Sequence, residues 1–178
     1  MTTPSNTAAA RARDRATARL SVDLVCEAGD WGALADAEPV IQRAADAVAA
    51  WPSLLKTNAA VSIALSSDAE VAVLNRQFRS KPKPTNVLSF PAGGGLPDGF
   101  LGDIILAAET VVHEAREQET PLGHYVQHLV VHGILHLLGF DHETPADAER
   151  MESLEIAILA DLGVANPYTG DLETATKE

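Results

Sequence analysis

The chain has 178 residues, 46% hydrophobic and 4% aromatic, with one cysteine and a net charge of −12. That length and composition fit one globular domain with a substantial core, and no apolar run approaches the roughly 20 residues of a membrane span. A lone cysteine excludes an internal disulfide and suits a reducing, cytoplasmic setting, with Cys26 read as a small buried strand residue.

Residues 1–19 are rich in Ala, Thr and Arg and are expected to be a flexible extension, with a transit peptide as the competing reading. Then "LSVDLVCEA" (20–28) alternates as a strand, and 39–51 has helical spacing. Residues 57–66 read as a strand, and Ser67 with Glu70 forms a capping box opening a helix to about 78. Strands follow at 85–91 and 101–109, separated by a turn-rich loop, and the second runs into a helix to about 118. Thr120-Pro121 and Thr144-Pro145 each pair a cap residue with Pro at the first helical position, opening two more helices. The last of these, to 162, reads as an amphipathic helix with a solvated acidic face, and 169–178 as a flexible tail. Strands alternating with helices point to an α/β fold in a single domain, 20–168.

The charge is unevenly spread. Without residues 1–20, nine bases and 24 acids remain, yet 71–97 contains no acid and holds Arg76, Arg79, Lys81 and Lys83. A basic segment in an acidic protein is a candidate surface for a nucleic-acid backbone; the competing reading is a solvated turn.

The most informative stretch is "HGILHLLGFDH" at 132–142, which holds three of the six histidines. His132 and His136 stand four apart and share a helix face; Gly139 permits the left-handed turn that ends a helix, so His142 can fold back to the same point. Three neutral imidazoles form a zincin-like ligand arrangement that leaves a fourth zinc position for water, whose pKa the metal lowers. The spacing matches the ligands of metzincin proteases, but the general-base Glu that follows their first histidine is here Gly133. A mid-helix glycine costs about 1 kcal/mol relative to alanine, so something there needs the space. His128, one turn earlier, is either a group behind the ligands or a core histidine bonded to backbone; Asp141 is either an orienting or basic group or a turn residue.

"HGILHLLGFDH" resembles the signature of the YbeY family of bacterial zinc-dependent endoribonucleases, and "LNRQFRSKPKPTNVLSFP" (74–91) and "LGDIIL" (101–106) are similar to its other characteristic segments. The resemblance runs from about 20 to 168. It implies a four-stranded mixed sheet packed with helices around a central zinc-bearing helix. It implies His132, His136 and His142 as ligands of one zinc ion and Arg79 as a functional arginine. It implies cleavage of single-stranded RNA in 16S rRNA 3′-end maturation and ribosome quality control, with the small ribosomal subunit, its proteins or a GTPase as partners and no membrane. Two other readings stay open: an assembly factor whose metal is structural, and a metal-dependent hydrolase of another substrate.

Overall fold

The structure is a computed structural model and describes residues 17–80, 85–93 and 99–169. Most of the expected N-terminal extension and C-terminal tail, and Lys81 and Lys83 of the basic segment, lie outside the described residues. Nine elements follow in the order anticipated: β1 (Leu20–Cys26), α1 (Ala37–Ala50), β2 (Ala59–Ser66), α2 (Asp68–Arg79), β3 (Val87–Pro91), β4 (Phe100–Ala107), α3 (Ala108–Glu117), α4 (Leu122–Leu137) and α5 (Pro145–Asp161).

The four strands form a mixed sheet in the order β1-β2-β4-β3. β1, β2 and β4 are parallel, and β3 returns antiparallel on the outside of β4. Period-two alternation decides which side chains meet the helices. Val61, Ile63 and Leu65 of β2 and Ile104 and Leu106 of β4 enter one large core with α1, α3, α4 and α5. The opposite face is covered only in part, where Val71 of α2 joins Leu88 and Ala107.

α4 has apolar residues on nearly every side and is enclosed accordingly, with Val126, Val130, Val131, Ile134 and Leu135 wholly buried. It passes close to the sheet at Gly133. A Cβ there would lie 2.9 Å from Cδ1 of the fully buried Ile104 and 3.2 Å from its Cγ1 and Cγ2. This is the physical reason for a glycine in mid-helix, and it leaves no room for the protease glutamate at this position.

The helix ends in a Schellman turn. Gly139 takes φ 97°, its N–H donates to the His136 carbonyl at 3.0 Å, and the Phe140 N–H donates to the Leu135 carbonyl at 3.0 Å. The next helix is capped as its sequence requires, the Thr144 hydroxyl accepting from the Asp147 N–H at 3.1 Å with Pro145 in the first turn. α2 and α3 start side by side and cap each other: Glu109 accepts from the Asp68 N–H at 2.8 Å, and Asp68 accepts from the Thr110 N–H at 2.9 Å. That exchange fixes α2, whose last residue is Arg79.

Three expectations are corrected. Cys26 lies in β1 but is exposed, because β1 is an edge strand and Cys26 is its last residue. Thr120 does not cap α4; Pro121 occupies that position, and the Thr120 hydroxyl donates to the Gln118 carbonyl instead. Not every acid of α5 lies on its solvated face, since Glu155 is 0% exposed on the buried side with Met151, Ile158 and Leu159.

Gly133→Ala sets a helix-propensity gain of up to about 1 kcal/mol against an overpacking cost of about 1–3 kcal/mol. We expect net destabilisation of about 1 kcal/mol in urea unfolding. Because valine lacks the Cδ1 atom nearest position 133, Ile104→Val should cost less in the Gly133→Ala background than alone; strictly additive effects would show that the two positions do not press on each other.

Candidate metal centre and nucleic-acid interface

The Schellman turn brings the three motif histidines to one point. One ring nitrogen from each of His132, His136 and His142 lies within 4.8 Å of the others. His132 and His136 project from α4 with their Nε2 atoms 3.0 Å apart, and the exposed His142 approaches from the loop, its ring centroid 5.0 Å from that of His136.

The partners of the inner nitrogens determine what the outer ones can do. His136 Nδ1 lies 2.9 Å from the Phe140 carbonyl, which can only accept, so this nitrogen carries the proton. His132 Nδ1 lies 2.6 Å from Oε1 of Glu155 and donates to it. Both Nε2 atoms then present lone pairs to each other across 3.0 Å. Two acceptors so close repel unless a cation or a proton lies between them. Burial, reinforced by the neighbouring His132, holds His136 below the ordinary imidazole pKa and so favours its neutral, ligating form. Three imidazole nitrogens converging on one point suit zinc, and the residues fit the ion on this ground; when bound, the metal would supply Lewis acidity at this point of the cleft.

Glu155 was not singled out by the sequence reading. Burial pushes its carboxyl pKa up, but hydrogen bonds from His128, His132 and Tyr168 outweigh this and bring it down to about 2. The carboxylate therefore stays ionised in the core. A signal was present in the sequence: Glu155 shares the i, i+3, i+4, i+7 stripe of α5 with the buried Met151, Ile158 and Leu159. His128 lies behind His132 on this network, Nε2 at 3.4 Å from Glu155, while its buried Nδ1 has no partner among the described residues.

The histidines form one side of a cleft of about 940 Å³. The opposite side is built by β3 and the end of α2 and includes Arg79, Asn86 and Ser89. Arg79 Nη2 donates to the Ser89 carbonyl at 3.3 Å, and the Ser89 hydroxyl reaches the Gly133 carbonyl at 3.4 Å, linking the arginine to α4. Asp141 also lines the cleft while accepting from the Glu143 N–H at 3.2 Å, so it serves as a turn residue within reach of the opening. Arg76 is exposed on α2 and does not line the cleft. Asp103 is exposed on the α2 side of the sheet, away from the histidines, and His113 is a surface residue paired with Glu117 at 3.1 Å.

A family model described as Endoribonuclease YbeY matches residues 32–163. The chain belongs to the YbeY endoribonuclease family. Among relatives named endoribonuclease YbeY, that of Azorhizobium caulinodans is 48% identical over 154 residues, spanning 84% of this chain and 96% of its own. That of Dinoroseobacter shibae is 48% identical over 167 residues, spanning 85% and 92%. The solution structure of TM1509 from Thermotoga maritima has a TM-score of 0.50 at 25% identity, covering 80% of this chain and 91% of its own. The mixed four-stranded sheet with its helices is thus a YbeY fold. No helix among the described residues is long and apolar enough to cross a membrane.

Adding zinc to metal-free protein should raise its thermal midpoint. At 100 times the dissociation constant the linkage amounts to about 2.7 kcal/mol. His136→Ala should lose that shift almost entirely, which differential scanning fluorimetry with and without zinc can check.

Proposed function

We propose that this chain is a zinc-dependent, single-strand-specific endoribonuclease of the cytoplasm, acting in 16S rRNA 3′-end maturation and ribosome quality control. The observation that carries the reading is that three imidazoles converging on one point and a guanidinium line one cleft. The names of its relatives supply RNA as the substrate class. His132, His136 and His142 hold the single zinc ion. Arg79 donates to non-bridging phosphate oxygens and steadies the charge that grows on them, a bidentate task lysine cannot copy. Arg76, Lys81 and Lys83 add sequence-blind affinity for the RNA backbone. The catalytic domain is 20–168, with an extension at 1–19 before it and a tail at 169–178 after it. In a chain of net charge −12, docking on the small ribosomal subunit, through its proteins or a GTPase, supplies much of the specificity.

A specific observation bears against a peptide substrate. The Ala107 N–H donates to the Asn86 carbonyl and the Ala92 N–H to that of Leu101, so the even-numbered residues of β3 face β4 and the odd ones face outward. On that outer edge the Ser89 carbonyl is taken by Arg79, and Pro91 has no N–H to give. A peptide adding as a strand there would find the Ser89 carbonyl taken and no N–H at Pro91, and Ile104 fills the space of the protease glutamate.

Wild type, His136→Ala and Arg79→Glu should be compared for bound metal, thermal stability and cleavage of a single-stranded rRNA 3′ fragment. His136→Ala is expected to lose metal and cleavage together. Arg79→Glu should keep metal and fold while losing roughly 100-fold or more in rate. If chelation mainly melts the fold and none of the three proteins cuts RNA, the metal is structural and the assembly-factor reading replaces this one.

A further inference from the structure

We infer that Glu155 and Tyr168 are positioning residues of the metal centre, so that the turn following α5 belongs to the site. The inference rests on the metal-binding reading above and concerns residues outside the histidine motif. Glu155 is a carboxylate with no exposure, set among Met151, Ile158 and Leu159. Apolar side chains of similar size would pack there without the cost of desolvating a charge. What the carboxylate provides is acceptors in fixed places. Its Oε1 takes the Nδ1–H of His132 at 2.6 Å. Its Oε2 takes the hydroxyl of Tyr168 and faces Nε2 of His128 at 3.4 Å.

An ionised carboxylate can only accept, so Glu155 selects the His132 tautomer whose Nε2 lone pair faces the cleft. A neutral amide in its place also carries N–H donors and loses that selectivity. Tyr168 donates to the second oxygen and thereby limits rotation of the carboxylate. The turn that carries it is self-supported, its N–H donating to Oδ1 of Asn166 at 2.8 Å and the Thr169 hydroxyl to the Asn166 carbonyl at 3.2 Å. The His128 ring packs edge-on to both Tyr168 and His132, with centroids at 5.8 Å and 6.4 Å. Tyrosine, carboxylate and ligand thus form one line of hydrogen bonds leading from the turn to the metal-facing nitrogen.

The competing account makes Glu155 only a structural partner for buried histidines. The two differ in metal affinity measured apart from stability. Metal-free wild type, Glu155→Gln and Tyr168→Phe would each be titrated with zinc against a chromophoric chelator. The visible spectrum of the cobalt-loaded protein would report ligand geometry, and metal-free thermal melts would report folding. Glu155→Gln is expected to weaken zinc binding by about 10–100-fold and to alter the cobalt spectrum. Tyr168→Phe should move both readouts in the same direction by less, and it carries the test alone if Glu155→Gln does not fold. Variants that lose thermal stability yet keep wild-type zinc affinity and cobalt spectra overturn this proposal and leave the metal reading standing. Failure of the wild type itself to bind zinc removes the metal reading, and this proposal with it.

Discussion

A helix that is apolar on nearly every side must be enclosed, and a polar group it buries is costly unless it finds a partner inside the protein. α4 imposes that condition on the whole molecule. The Gln127 side-chain amide is answered by the Val40 carbonyl of α1 at 3.0 Å, and the Tyr125 hydroxyl by Glu114 of α3. His132 is answered by Glu155 of α5, and His136 by the Phe140 carbonyl beyond the helix end. The helices around α4 are therefore more than a wall of hydrophobic contact. Three of them each supply a polar partner at the one place where the central helix needs it.

The same enclosure explains how the histidine cluster can sit on a rigid base. The histidine-bearing turns of α4 pass so close to β4 that a Cβ at position 133 would press on Ile104, and β4 in turn carries β3, the far wall of the cleft. Both walls are thus referenced to one strand. The arginine side is fixed independently, by the mutual capping of α2 and α3, and returns to α4 through Ser89.

Much of this was legible in the sequence because it is local. Helical spacing, a helix-ending glycine and the Thr144-Pro145 start determine where α4 stops, where α5 begins and why His142 returns to His136. The number and order of elements followed from alternation and capping in the same way. What escaped is non-local. Glu155 stands in a helix with many acids, and only its position on the stripe of Met151, Ile158 and Leu159 separates it from its solvated neighbours. The burial expected of Cys26 failed for a related reason: a strand residue is covered only if another strand or a helix lies beside it, and strand order is not written in any single segment. The Thr120 expectation failed because proline itself took the position before the first helical turn.

The two inner hydrogen bonds that orient the cluster differ in their span along the chain. His136 is served by a carbonyl four residues away, within the turn that ends its own helix. His132 depends on a carboxylate 23 residues further on, which itself leans on a tyrosine 13 residues beyond that. The orientation of His136 is thus a property of one helix and its terminal turn, while that of His132 requires α5 to be docked against α4. The cluster therefore joins a locally determined imidazole to one whose orientation depends on tertiary docking.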